Sequence, residues 1–248
     1  MRSTKRRAGA LGGALAGVVT GVAVVATGLG LGLGLGAGAA GASGGGGALA
    51  HAKSQLIVRS DFPKNWTANG SVSTSKGSGQ SSFPGADQLA GCLGVSSSVL
   101  TLNTPSATSP TFQTADQRDS AQENLSIYPS AKVAAQGYRA LASSKAPGCL
   151  NTLFQGSGKS ELENAIGHSI SVGTVTVTTV PRSVLGPHGT GFVIAFPASA
   201  QGQTFQAAIS IVDVLRGKYG AQLMLSAVGG AFPAAVEKHL VAVAYGRA

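Results

Sequence analysis

Charged residues are scarce in this sequence of 248 residues, since only 11% are Asp, Glu, Lys or Arg. Four of the 18 basic residues lie within the first seven positions, and the other 14 are scattered singly along the chain. All nine acidic residues lie beyond those positions, which gives 14 − 9 = +5 for the rest of the chain. Nucleic-acid binding requires a clustered basic surface. The sequence therefore predicts no nucleic-acid partner.

Histidine is also rare, and the positions of the four histidines argue against a metal site. His51 lies at the end of the N-terminal segment, and His168, His188 and His239 are far apart in the sequence. Zinc ligands usually occur in pairs that are separated by only a few residues. The sequence therefore predicts no metal ligands.

Two short motifs resemble catalytic or phosphate-binding signatures, but the residues that should accompany them are absent. Residues 73–76 (STSK) have the S-x-x-K spacing of penicillin-recognising enzymes, yet they lie in a Ser/Gly-rich stretch without the partner motifs. Residues 156–160 (GSGKS) lack the first glycine of a phosphate loop, because Leu153 stands in its place. We interpret residues 156–160 as a solvated linker. The sequence predicts no catalytic residues and no cofactor.

No charged residue occurs between Arg7 and Lys53, and the gap is filled mainly by Ala, Gly, Val and Leu. A basic start followed by an uncharged apolar run, here residues 8–35, is typical of an export signal or a membrane anchor. We predict that residues 1–52 form an export signal or N-terminal membrane anchor with a Gly-rich tail, and that residues 53–248 form a single domain. The protein is then extracytoplasmic, and is either secreted or tethered to the cell membrane by its N-terminal segment alone.

The predicted location outside the cytosol bears on the state of the two cysteines, Cys92 and Cys149. Thiols oxidise outside the cytosol, so an even number of cysteines in an exported chain predicts a disulfide. The spacing of Leu89, Cys92 and Leu93 places the first cysteine on the buried face of a short helix. A second helix, starting at Pro147, carries Cys149 inward. Two unpaired buried thiols are the alternative.

Alternating apolar and polar residues predict strands, most of them in the last third of the chain. A tight reversal at Arg216 and Gly217 predicts a hairpin, and helices are predicted after Ser130, from Pro147 and from Pro233. Strands that are joined by short turns pair antiparallel, because a parallel return needs a crossover. We therefore predict an α+β fold, with a single antiparallel sheet and helices packed on one face. The predicted strands include residues 125–128, 170–177, 192–196, 205–214 and 219–225.

The alternation changes phase in two of these strands. One residue near Gly173 is extra, which predicts a bulge. A second change of phase follows Ile211, and Asp213 lies beside it. We predict that this change lets Asp213 face solvent, and the alternative is a buried acid with a raised pKa.

Two stretches are mostly polar. Residues 68–83 are predicted to form a flexible loop, and residues 103–122, with only Phe112 to bury, to hold one weak strand. We interpret Trp66, the only tryptophan, as a core or domain-edge residue instead of a ligand platform.

One run of residues carries a resemblance to a known family. Residues 124–132 (NLSIYPSAK), continuing to residues 146–149 (APGC), resemble the PknH-type extracellular sensor domains of actinobacteria, including their stand-alone relatives without a kinase. The resemblance covers roughly residues 85–246, and it implies a sensor-like domain in which Cys92 pairs with Cys149. PknH-type members have a second disulfide in the last strands, where this chain has no cysteine.

These observations lead to the hypothesis of an exported, non-catalytic cell-envelope domain. It would bind a small molecule, a glycan or an envelope protein through a groove of its sheet, with ligand-binding residues that the sequence does not identify. One alternative is an envelope hydrolase with an unfamiliar site, for which Asp213 and His188 are the first candidates. The other is a purely structural envelope protein, which would have a broad apolar surface patch instead of a concave pocket.

Overall fold

The computed structural model of the chain describes residues 46–77, 83–166, 170–187, 189–200 and 202–248. The apolar run at residues 8–35 lies outside the described residues, so the export signal and the membrane anchor remain predictions. Within the described ranges, no helix is both long and apolar enough to cross a membrane.

A single antiparallel sheet of ten strands forms the centre of the described chain. The strands are β1 (Trp66–Asn69), β2 (Ser73–Ser75), β3 (Ser106–Thr108), β4 (Thr111–Thr114), β5 (Asp119–Ile127), β6 (Ile170–Val172), β7 (Thr176–Thr179), β8 (Gly189–Ala200), β9 (Gln203–Arg216) and β10 (Tyr219–Val228). The main path across the sheet is β1-β4-β5-β10-β9-β8-β6. In addition, β3 pairs with β5 and β2, and β7 pairs with β8.

Helices alternate with the strands along the described sequence. They are α1 (Gly46–Gln55), α2 (Ala86–Leu93), α3 (Ser97–Leu100), α4 (Ala131–Leu141), α5 (Ala146–Gln155), α6 (Ser157–Ile166), α7 (Arg182–Leu185) and α8 (Ala234–Arg247), and a 3-10 turn lies at Arg59–Asp61. The predicted α+β class with a single antiparallel sheet is confirmed.

Helices cover both faces of the sheet, whereas the sequence predicted them on one face. Successive strand residues point to opposite faces. Ile209 and Ile211 of β9 pack with α2, α5 and α6 on one side, which we call the α5 face. Val212 and Val214 pack with α1 and α8 on the other side, the α8 face.

Burial on both faces also explains the second change of phase in the sequence. Strand β9 pairs with β10 residue for residue from Ala207 to Arg216, so no residue is extra. Residues 207–214 are all buried. The apolar positions change parity because the apolar cover passes from the α5 face to the α8 face along the strand.

The predicted bulge near Gly173 is confirmed. Val172 pairs with Ala198 and Thr176 with Ala195, so the edge strand advances four residues while β8 advances three. The extra residue separates β6 from β7, and it lets the apolar side chains of both strands face the same core.

Local signals for helix starts and turns are also confirmed. Ser130 Oγ accepts a hydrogen bond from Val133 N at 3.3 Å and caps α4. Gly217 joins β9 to β10 with φ +60°, a conformation that side chains rarely adopt. Helix α8 begins directly after Pro233, as predicted.

The disulfide between Cys92 and Cys149 is present and joins α2 to α5, with 5.7 Å between the Cα atoms. Cys149 is buried, as predicted. Cys92, in contrast, lies on the exposed side of α2, so its predicted place on the buried face is wrong. One end of the bridge is therefore accessible to solvent.

The polar stretches contain more regular structure than predicted. Residues 68–83 include β2 and the end of β1, and residues 103–122 contain β3, β4 and the start of β5. Residues 156–160 run into α6 instead of forming a linker. Neighbouring strands supply hydrogen-bond partners, and this tertiary context outweighs the low strand propensity of Ser, Gly and Asn.

Aromatic residues close the α8 face near the sheet edge. Trp66 is 2% exposed, and its ring lies 4.9 Å from that of Phe62, which stacks on Phe112 at 4.5 Å. The interpretation of Trp66 as a core residue is confirmed.

Helix α1 runs across the predicted boundary between residues 52 and 53. Ala52 is fully buried in the core of the α8 face, and Ala48 and Leu49 pack against the same core. The folded unit therefore includes the residues from Gly46 onward.

Candidate functional site

Asp213 lies buried on the α5 face of the sheet, and the prediction that it faces solvent is wrong. It is 2% exposed and pairs with Gln222 of β10 and Thr190 of β8. Gln222 Nε2 donates to Asp213 Oδ1 at 3.0 Å, whereas Oδ2 has no hydrogen-bond partner among the described residues. Burial disfavours the charged form and raises the pKa of Asp213 to about 7, although the Gln222 hydrogen bond lowers it.

The region around Asp213 is covered by α4 and by Tyr128. Helix α4 packs on β8, β9 and β10. Tyr128 is buried over Gly220, where a Cβ atom would lie only 2.9 Å from Tyr128 Cε2. Burial, and secondarily the charge of Asp213, raises the pKa of Tyr128 above its usual range. Because it is covered, Asp213 cannot contact a dissolved substrate in this conformation.

The histidines do not come together with Asp213 in the part of the chain that is described. His168 and His188 lie outside the described residues. The His51 ring packs against that of Tyr219 at 5.6 Å, and His239 is exposed on α8. No group of three or more potential metal-ligating side chains occurs among the described residues.

A second buried carboxyl, Glu123, lies on the α8 face and was missed in the sequence. Glu123 Oε2 accepts a hydrogen bond from Ile57 N at 2.6 Å, and burial raises the pKa of Glu123 to about 7. Nearby, the Arg247 guanidinium donates to both Asp61 carboxylate oxygens at 2.7 and 2.8 Å and to Leu56 O at 3.1 Å. These contacts attach the segment after α1 to the sheet and to α8, which is a structural role.

A groove opens between α7 and α8 on the α8 face. Its volume is about 380 Å³, within the range of small-molecule sites. Most of its surface is apolar, and the floor is Val214 of β9. Its walls include Val184, Leu185 and Pro187 on one side and Lys238, Val241, Ala242 and Tyr245 on the other.

Local sequence explains why α7 stops where it does. Pro181 precedes the helix with extended backbone angles, and Gly186 ends it with φ +65°. Arg182 Nη1 donates to Gly189 O at 3.1 Å, which ties the start of α7 to the start of β8. A single helical turn next to a long helix leaves the space between them open.

The charged groups around the groove are cationic. Lys238 borders it and is exposed, and none of the ion pairs found among the described residues involves Lys238. Glu237, the neighbouring acid on α8, is 7% exposed, and its carboxyl is hydrogen-bonded to Ser210 of the sheet. The groove therefore combines an apolar interior with an uncompensated positive charge at its rim.

The lining of the groove is suited to binding. It contains no carboxylate, thiol or imidazole among the described residues. Ser183 lines it, but no hydrogen bond joins Ser183 to Lys238, and a serine nucleophile needs a base within hydrogen-bond reach. Sequence reasoning missed this groove, because its lining comes from distant elements that share no motif.

Comparisons with known proteins give a likeness to a solved structure. No family model and no curated protein matches the sequence. Among solved structures, the chain is similar to the extracellular domain of PknH from Mycobacterium tuberculosis, with 8% identity and a TM-score of 0.40. The similarity covers 79% of this chain and 95% of that one.

Proposed function

We propose that this protein is an exported, non-catalytic binding domain of the cell envelope, which holds a small, largely apolar molecule in the groove between α7 and α8. The groove is the observation that carries the proposal. Its concave apolar surface and its volume of about 380 Å³ are those of a small-molecule site.

The extracytoplasmic location rests on two independent features. A basic start and an apolar run precede the domain in the sequence, and the Cys92–Cys149 disulfide fits an oxidising compartment. Detection of the protein in the cell-envelope fraction or the growth medium supports this location. Recovery of the protein from the cytosol alone would contradict it.

The non-catalytic character is supported by the positions of the acidic groups. Asp213, the first candidate of the hydrolase hypothesis, is covered by α4, and Glu123 is engaged by a backbone amide on the other face. A substrate screen provides the test, because turnover that is lost on Asp213→Ala would favour the hydrolase.

The purely structural alternative predicts a broad apolar patch. Among the described large hydrophobic residues, only Val58 and Val72 are exposed, at 45% and 42%. Isolated exposed residues of this kind are normal on soluble proteins. A concave groove, with no broad apolar patch among the described residues, favours ligand binding.

Ligand binding in the groove can be tested with an uncharged fluorescent probe, N-phenyl-1-naphthylamine. The wild-type chain should enhance its fluorescence, and Ala242→Trp should abolish the enhancement by filling the groove. Ala235→Trp is the matched control, since Ala235 is exposed on the same helix and is not part of the groove lining. Equal enhancement by all three proteins would refute the proposed site.

A further inference from the structure

We propose that the ligand of the α7–α8 groove is a single-chain amphipathic anion, an aliphatic chain with a terminal carboxylate, whose charged group is bound by Lys238. This inference rests on the proposed function, since it assigns the chemistry of the same groove. It follows from the size of the groove, the position of its cation and the absence of a neutralising acid among the described residues.

The size of the groove indicates the length of the aliphatic chain of the ligand. The volume of the groove is about 380 Å³. If each carbon of the ligand takes up about 30 Å³, the volume of a molecule in liquid water, the groove holds a chain of about a dozen carbons. Val184, Leu185 and Val241 give this space apolar walls, which favour an aliphatic chain.

The rim of the groove indicates the charge of the polar end of the ligand. The Lys238 side chain can lay its methylenes along the apolar wall while its ammonium stays in water. The one acid beside it in the sequence, Glu237, is turned to Ser210 of the sheet. A carboxylate at the rim therefore meets a cation that no ion pair within the described chain neutralises.

The charge balance distinguishes a free molecule from a membrane surface. Adsorption to anionic lipid headgroups needs several cations near the surface, whereas Lys238 is the only charged group among the described residues that line the groove. The single cation beside the apolar groove therefore suits a ligand with one carboxylate on one aliphatic chain.

The experiment compares dodecanoate with dodecanol, which has the same chain and no charge, as displacers of N-phenyl-1-naphthylamine from the full-length chain. An exposed ion pair strengthens binding by up to about fivefold. Dodecanoate should therefore displace the probe at an about three- to fivefold lower concentration at low ionic strength. This preference should shrink in 0.5 M NaCl, because salt screens exposed charges.

Substitution of the cation assigns the preference to one residue. Lys238→Met keeps much of the apolar stem and removes the charge, so it should abolish the preference for dodecanoate over dodecanol. Lys132→Met is the matched control, because Lys132 is an exposed lysine on α4, away from the groove. It should retain the wild-type preference.

The outcomes separate the two proposals. If the probe binds in the groove but dodecanoate and dodecanol displace it equally, or if the preference survives Lys238→Met, the anionic ligand is refuted and the proposed function stands. If the wild-type chain does not bind the probe, the proposed function itself fails. Binding to anionic phospholipid vesicles without displacement of the probe by dodecanoate would also refute the single-chain ligand.

Discussion

Removal of the disulfide between α2 and α5 should destabilise the domain strongly. The two cysteines are separated by 57 residues. Opening a loop of this length increases the entropy of the unfolded chain and costs about 4 kcal/mol at 25 °C. Domains are typically stable by only about 5–15 kcal/mol. The double variant Cys92→Ser, Cys149→Ala should therefore lose a large part of its free energy of unfolding.

Urea unfolding of the wild-type and double-variant proteins measures this loss, with and without dithiothreitol. Because Cys92 is exposed, the reductant should reach the bridge in the folded state and lower the wild-type midpoint toward that of the variant. The variant itself should not respond to the reductant, which makes it the control. A loss below about 1 kcal/mol would refute the loop-entropy reasoning. Detection of two free thiols in the native protein by mass spectrometry would refute the bridge.

Three further predictions concern packing, buried charge and an ion pair. Gly220→Ala should lower the free energy of unfolding by about 1–3 kcal/mol, because its Cβ atom would lie 2.9 Å from a buried tyrosine ring. Gly230→Ala, which has no atom within 4 Å of the added carbon, should change little in the same urea titration. The pKa of Asp213 is about 7 in the folded state against its usual 3.8, so the folded state binds more protons and stability falls as pH rises through this window. Asp213→Asn should flatten this pH dependence of the urea midpoint, and an unchanged slope would contradict the assignment. Arg247→Met should cost about 1–3 kcal/mol of unfolding free energy, because the Asp61 carboxylate, which is largely buried, loses its cation and keeps only the hydrogen bond from Val58 N. Arg118→Met, whose 3.7 Å ion pair is exposed, should cost less than about 1 kcal/mol.

Those parts of the fold that depend on local patterns could be predicted from the sequence. The serine cap at Ser130, the reversal at Gly217 and the helix after Pro233 each depend on the conformational preferences of one or two residues. The extra residue near Gly173 was visible because it reverses the alternation of an otherwise regular edge strand.

The burial of Asp213 could not be predicted, because its cover comes from elements that are distant in the sequence. In a strand with one buried face, a change of parity indicates an extra residue. In β9 the same pattern arises from apolar cover on both faces. The sequence of the strand alone does not distinguish these two causes. The same limitation led to the prediction of helices on one face only.

The burial of acids also bears on the ligand. Among the acidic residues whose burial the structure describes, Glu123, Asp213 and Glu237 are buried. Burial raises the pKa values of all three, to about 7 for Glu123 and Asp213, and so disfavours their charged forms. With every acid charged, the chain beyond the first seven residues carries 14 − 9 = +5, and protonation of a buried acid makes this charge more positive. Lys238 therefore lies on a molecule whose overall field attracts anions, and its neighbouring acid is the one whose carboxyl is turned toward the sheet. A neutral ligand would make no use of this arrangement, whereas a carboxylate at the rim of the groove would.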